Sequence, residues 1–127
     1  MIMTDKQIGD KVKAHYKSGT YLGKIVQDRG DKFLVEVLAV WKHPMQGDLH
    51  NPNQTEGVFF HERKALAFHE KMNVRKPAVH SFEDTIPDYK ESLLEAVQTY
   101  KEILKQKDTP YNREALATLE RLEKEYK

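Results

Sequence analysis

Polar and apolar residues alternate with a period of two along the first part of the chain, and recur at helical spacing in the last part. The change of character falls near residues 77–87, "PAVHSFEDTIP". In "KVKAHY", Val12, Ala14 and Tyr16 share one face and Lys11, Lys13 and His15 the other, which predicts a strand. "KSGT" predicts a turn, and "YLGKIV" a second strand in which Gly23 marks a bend or bulge. "QDRGDK" predicts the next turn. "FLVEVLAVW" carries the strongest strand signal, with Phe33, Val35, Val37, Ala39 and Trp41 on one face. Its other face carries Leu34, Leu38 and Val40 beside a lone Glu36, so both faces are apolar. A strand open to water on one side is polar there, so this one is expected to be covered from outside. "GVFFHER" and a segment within "LAFHEKMNV" predict fourth and fifth strands.

The last part predicts two helices. In "IPDYKESLLEAVQTYKEILKQK", Tyr89, Leu93, Val97, Tyr100 and Leu104 recur at helical spacing. Pro87 suits a first turn, and Asp88 and Glu91 suit the positive helix end. In "DTPYNREALATLERLEKEYK", Thr109 is placed to cap, Pro110 to start the helix, and Leu116, Leu119, Leu122 and Tyr126 to form the stripe. The short link between them predicts an antiparallel pair. The expected class is α+β: a small SH3-like antiparallel β-barrel over residues 1–80, followed by a helical hairpin over 81–127 packed on it. The pair is expected to cover Leu34, Leu38 and Val40 and to fold as one cooperative unit with the barrel. A long loop is expected at about 43–57.

Composition narrows the classes. The chain has 127 residues and no cysteine, which excludes disulfides and thiolate metal sites. Neither the start "MIMTDKQIGDKVK" nor any later stretch approaches the roughly 18 apolar residues of a membrane span, so a cytoplasmic protein is expected. Net charge is +1, with 13 basic against 9 acidic residues up to residue 80 and 8 against 11 after it. That excess is too small and scattered for a nucleic-acid face. Lys11, Lys13, Lys17, Lys24 and Arg29 near Tyr16, Tyr21 and Phe33 nonetheless raise an alternative. In it the small barrel reads nucleic acid, or takes a methylated or peptide ligand in an aromatic cage.

The chemistry-bearing residues gather in "HPMQGDLHNPNQ", residues 43–54, and in "FFHERKAL". His43, Asp48, His50, His61 and Glu62 have no recognised metal-ligand spacing, and "HERKA" and "HEKMN" lack the second histidine of HExxH. No nucleophile motif or phosphate loop is present. No metal, cofactor or catalytic residue is therefore assigned, and a non-enzymatic protein is expected. Pro44, Gly47 and Pro52 restrict the loop backbone. The loop is therefore read as a shaped surface presenting His43, Gln46, Gly47, Asp48, His50, His61, Glu62 and Arg63 to a protein partner.

Together, "HPMQGDLHNPNQ", "VFFHERKALAFHEK", "AHYKSGTYLGKI", "IPDYKESLLEAV" and "LEKEY" resemble the kinase-associated protein B family, also called kinase-associated lipoprotein B, from about Gly9 to Tyr126. The resemblance implies an SH3-like barrel followed by helices. It also implies an accessory of a sensor histidine kinase that feeds the sporulation phosphorelay of endospore-forming bacteria. The family's lipoprotein name suggests a lipidated cysteine, which this sequence lacks, so membrane contact is expected only through the kinase.

Overall fold

The computed structural model describes residues 6–48, 55–57 and 60–127. The strands are β1 (Lys11–Tyr16), β2 (Gly19–Asp28), β3 (Lys32–Lys42), β4 (Lys71–Arg75) and β5 (Val79–Ser81); the helices are α1 (Tyr89–Lys105) and α2 (Pro110–Tyr126). The strands form one antiparallel sheet in the order β4-β3-β2-β1-β5. β4 and β5 lie at opposite edges, yet only a single 3-10 turn, Lys76–Ala78, joins them. In a flat five-stranded sheet those edges would stand roughly 19 Å apart, farther than three residues of 3-10 helix reach. The sheet must therefore curl. Among the described residues no ladder pairs β4 with β5, so the expected closed barrel is replaced by a curled, open sheet.

Local sequence explains most elements. Lys17 and Ser18 take positive φ (47° and 70°) and close the two-residue β1–β2 hairpin, in which Tyr16 faces Gly19. Gly23 sits at a register shift in β2, as its placement inside a strand predicted. A Cβ there would lie 2.1 Å from the Glu36 carbonyl oxygen, so only glycine permits the two backbones to approach. Asp88 caps α1 by accepting from the Glu91 N–H at 3.0 Å; Pro87 therefore lies just before the cap and not in the first turn. Thr109 caps α2 through the Asn112 N–H at 3.0 Å, with Pro110 opening the helix. The Asn112 side chain donates to Leu104 and Lys107 carbonyls at 3.1 and 2.8 Å, which closes the end of α1.

One core joins the sheet to the helices: Val12, Ile25, Val35, Val37, Met72 and Val74 with Leu93, Val97, Leu104, Ala115 and Leu119. α1 crosses the end of β3, where the Val40 N–H donates to Ser92 Oγ at 3.0 Å. The helical cover expected over Leu34, Leu38 and Val40 is realised at Val40. Leu34 and Leu38 stay half-buried outside the core, because the helices spend their apolar faces elsewhere. Three further expectations are corrected. Phe60–Arg63 of "GVFFHER" is not a strand; Gly57 is a bend, and Val58 and Phe59 lie outside the described residues. β5 falls within residues 77–87, where the chain changes character and no strand was expected. Trp41, expected on one face with Phe33, Val35, Val37 and Ala39, parts from those buried residues and is 53% exposed. Thr20 pairs with Lys42 and Tyr21 with Val40, so Trp41 is passed over by the ladder at a bulge and turned out.

Candidate interaction surface

From His43 onward the chain leaves β3, and residues 43–48 and 60–66 cross between the sheet and the helical pair without regular structure. Buried backbone of this kind needs partners outside any ladder. Tyrosine hydroxyls supply them. Tyr100 OH accepts from the Gln46 N–H at 3.1 Å, and Tyr111 OH donates to the Gln46 carbonyl at 2.6 Å. Tyr126 OH accepts from the Ala65 N–H at 2.9 Å. Tyr21 OH accepts from the Leu66 N–H at 3.3 Å, and Tyr89 OH donates to the Leu66 carbonyl at 2.5 Å. Burial raises the pKa of the Tyr21, Tyr89, Tyr100 and Tyr126 phenols, to about 12 for Tyr21 and Tyr89, which keeps their protons in place.

Gln46 locks the two limbs of the crossing together. Its amide donates to the Pro44 and Arg63 carbonyls at 3.1 and 2.9 Å, and its Oε1 accepts from the Arg63 N–H at 2.9 Å. With its backbone held by the tyrosines, every polar group of Gln46 is occupied. Gly47 takes φ +96° and donates its N–H to the His61 carbonyl at 2.9 Å. A Cβ there would stand 3.0 Å from the rings of Phe60 and Tyr111. The Arg63 guanidinium folds inward onto the Met45 and Gly47 carbonyls at 3.0 and 2.5 Å.

His43 is 1% exposed. Its Nδ1 lies 2.9 Å from the Pro44 carbonyl, which only accepts, so Nδ1 carries the proton. Nε2 then accepts from the Tyr126 hydroxyl at 2.9 Å. Tyr100 stacks on the ring at 6.1 Å between centroids. Burial lowers the His43 pKa to about 4, partly opposed by the bond to the Pro44 carbonyl. The ring is neutral, with both nitrogens engaged.

The predicted partner-binding set thus divides. His43, Gln46 and Gly47 are buried structural residues and are removed from the presented surface. The polarity that suggested exposure is consumed inside the fold. Arg63 is half-buried with its charge turned in. Asp48 is half-buried, and His61 and Glu62 are exposed; Glu62 pairs with Arg121 at 3.2 Å. His50 lies outside the described residues. The aromatic platform fails as well, because Tyr21 and Phe33 are core residues at 1% and 4% exposure. Among the described residues, no group of three or more histidines and carboxylates is arranged to hold a metal ion.

The surface that sequence reasoning missed surrounds Trp41. Between the end of β3 and α1 runs a groove of about 350 Å³, with Leu22, Val40 and Ala96 in its floor and Trp41 and Pro87 in its walls. Glu91 and Glu95 of α1 line it too. Trp41 also borders a narrower cleft with Met45, Tyr100 and the exposed Ile103. Lys13 Nζ rests 4.5 Å from the centroid of the Trp41 ring, and Phe82 meets it edge-on at 6.1 Å. No periodicity announces this surface, since it exists only because the bulge reverses one side chain.

Comparison with known proteins aligns with this architecture. The model of the family described as kinase associated protein B matches residues 16–127. Kinase-associated lipoprotein B of Bacillus subtilis (strain 168) is 43% identical over 124 residues, covering 98% of this chain and 97% of that protein. The crystal structure of kinase-associated protein B from Bacillus cereus superposes with a TM-score of 0.81 at 37% identity, over 94% of this chain and 96% of that one. Among the described residues, no helix is long and apolar enough to cross a membrane.

Proposed function

The chain belongs to the kinase-associated protein B family, and on that premise we propose that it is a non-enzymatic accessory protein that binds a kinase and helps to activate it. The observation that carries this reading is the relationship over nearly the whole chain to proteins named for kinase association and not for a reaction. The finer part of the proposal is that the partner is a sensor histidine kinase feeding the sporulation phosphorelay. That part rests on the resemblance described above. The curled sheet, with a 3-10 turn between its edge strands, supports calling the front of the molecule SH3-like. In this reading the protein works in the cytoplasm and meets the membrane only through its kinase.

We assign the contact to the outer rim of the crossing at Asp48, His61 and Glu62, and add His50 to it from the sequence pattern alone. The tyrosine and Gln46 bonds support this, because a rim fixed before binding loses little conformational freedom on binding. The test is affinity purification of the full chain from sporulating cells. A histidine kinase is expected to co-purify, and to be lost with His61→Ala combined with Glu62→Ala. The exposed Glu62–Arg121 pair adds only about 0–1 kcal/mol to stability, so the double variant should remain folded. Capture of no kinase would overturn the accessory role. Capture unchanged in a folded double variant would overturn the rim.

A further inference from the structure

We propose that the groove between β3 and α1 is a docking site for a partner segment that presents one or two apolar side chains with a lysine or arginine beside them. Three features carry this. The groove is apolar at its base, where Leu22, Val40 and Ala96 meet. At about 350 Å³ it lies at the small end of the roughly 300–1,000 Å³ typical of ligand sites, which suits side chains and not a whole helix. Trp41 stands at its edge with half its surface in water, held in place by Lys13 and Phe82. A large, pre-positioned aromatic of this kind is what binding centres concentrate their affinity on.

The charge of the occupant follows from the α1 wall. Glu91 and Glu95 are one helical turn apart, so they project on the same side. Neither carboxylate has an ion pair or hydrogen bond with any described residue, whereas Glu62, Asp108, Glu123 and Glu125 all have basic partners. The Lys13 ammonium is already engaged on the Trp41 ring. A cation brought by the partner would pair with the two carboxylates in a site where apolar contacts exclude water. The same carboxylates and the concave floor disfavour an acidic peptide or an anionic membrane surface. The inference rests on the accessory-protein reading only for which protein supplies the segment.

The test uses the full chain and fluorescein-labelled synthetic peptides read by anisotropy. One is an amphipathic Leu/Lys peptide, one its Leu/Glu counterpart, and one a Ser/Lys peptide of equal charge. Trp41 is the sole tryptophan, so its emission reports occupancy in parallel. The Leu/Lys peptide is expected to bind saturably and shift Trp41 emission to the blue. Binding should weaken roughly tenfold or more in Trp41→Ala and in Glu91→Lys with Glu95→Lys. It should persist in the control Glu114→Lys with Glu120→Lys, which reverses exposed charges on α2. Equal binding of the Ser/Lys peptide, equal loss in the α2 control, or no loss in folded groove variants would overturn the proposal. So would a blue shift with phosphatidylglycerol vesicles but none with peptide, which would mark a membrane surface. The kinase pull-down separates the two readings. A kinase captured by the parent, with Leu/Lys peptide binding undiminished in the folded groove variants, keeps the accessory role and sinks the groove. Peptide binding without any kinase captured does the reverse.

Discussion

Acidification should destabilise this fold through one buried histidine, and the size of the effect can be worked from the structure. His43 is neutral in the folded protein because burial lowers its pKa to about 4. In the unfolded chain it titrates near 6.5. Between those values the unfolded state binds a proton that the folded state refuses, so stability falls as pH falls. The contribution is fully present above about pH 6.5 and is lost progressively toward pH 4, amounting to about 3 kcal/mol. Against a typical total of about 5–15 kcal/mol this is a large share. The geometry gives the reason: a second ring proton would confront the Tyr126 hydroxyl, which is donating to Nε2 while accepting from the Ala65 N–H. The assay is urea unfolding followed by far-ultraviolet circular dichroism at pH 7.5 and 4.5, for the parent and for His43→Gln. Carboxylates and the exposed His15, whose pKa is lowered by burial and then by His80 and nearby lysines, titrate in both proteins and cancel. The variant should start less stable, and the gap should close by about 2–3 kcal/mol at pH 4.5. Equal pH dependence in the two proteins would refute the assignment of His43 as a buried neutral acceptor.

Other substitutions probe the same framework. Gly23→Ala forces a Cβ against the Glu36 carbonyl and should cost more than about 2 kcal/mol in urea unfolding, with the β2–β3 pairing disturbed in amide exchange. Gly47→Ala, at φ +96° and crowded by Phe60 and Tyr111, should lower stability by about 1–3 kcal/mol. Tyr111→Phe leaves the Gln46 carbonyl without its hydroxyl donor and should cost about 1–3 kcal/mol, with faster exchange of amides across the crossing. Truncation after Ser81 removes Leu93, Val97, Leu104 and Leu119 from the shared core, and each such side chain contributes about 1.5–3 kcal/mol. The fragment should therefore be unfolded or aggregated by circular dichroism and size exclusion; a soluble folded 1–81 would show that the sheet is independent.

Elements whose cause is local were legible in the sequence. Alternation located β1, β2 and β3, and the 3.6-residue spacing with Asp88 or Thr109 at the head located both helices. Gly23 announced its bulge because only one residue type tolerates so close a backbone approach. The family resemblance was also legible, in fragments spread from the first strands to the end of α2. The site was not. A register shift decides that Trp41 faces water, and a shift depends on how two strands pair, not on either strand's pattern. The polar residues 43–47 read as surface because a sequence shows which groups need hydrogen bonds and not who supplies them. The suppliers lie far along the chain: Tyr126 reaches His43 across 83 residues, and Tyr111 reaches Gln46 across 65. Only packing α2 against the crossing brings these hydroxyls to the backbone groups, and burial of a polar segment becomes affordable when every partner arrives together.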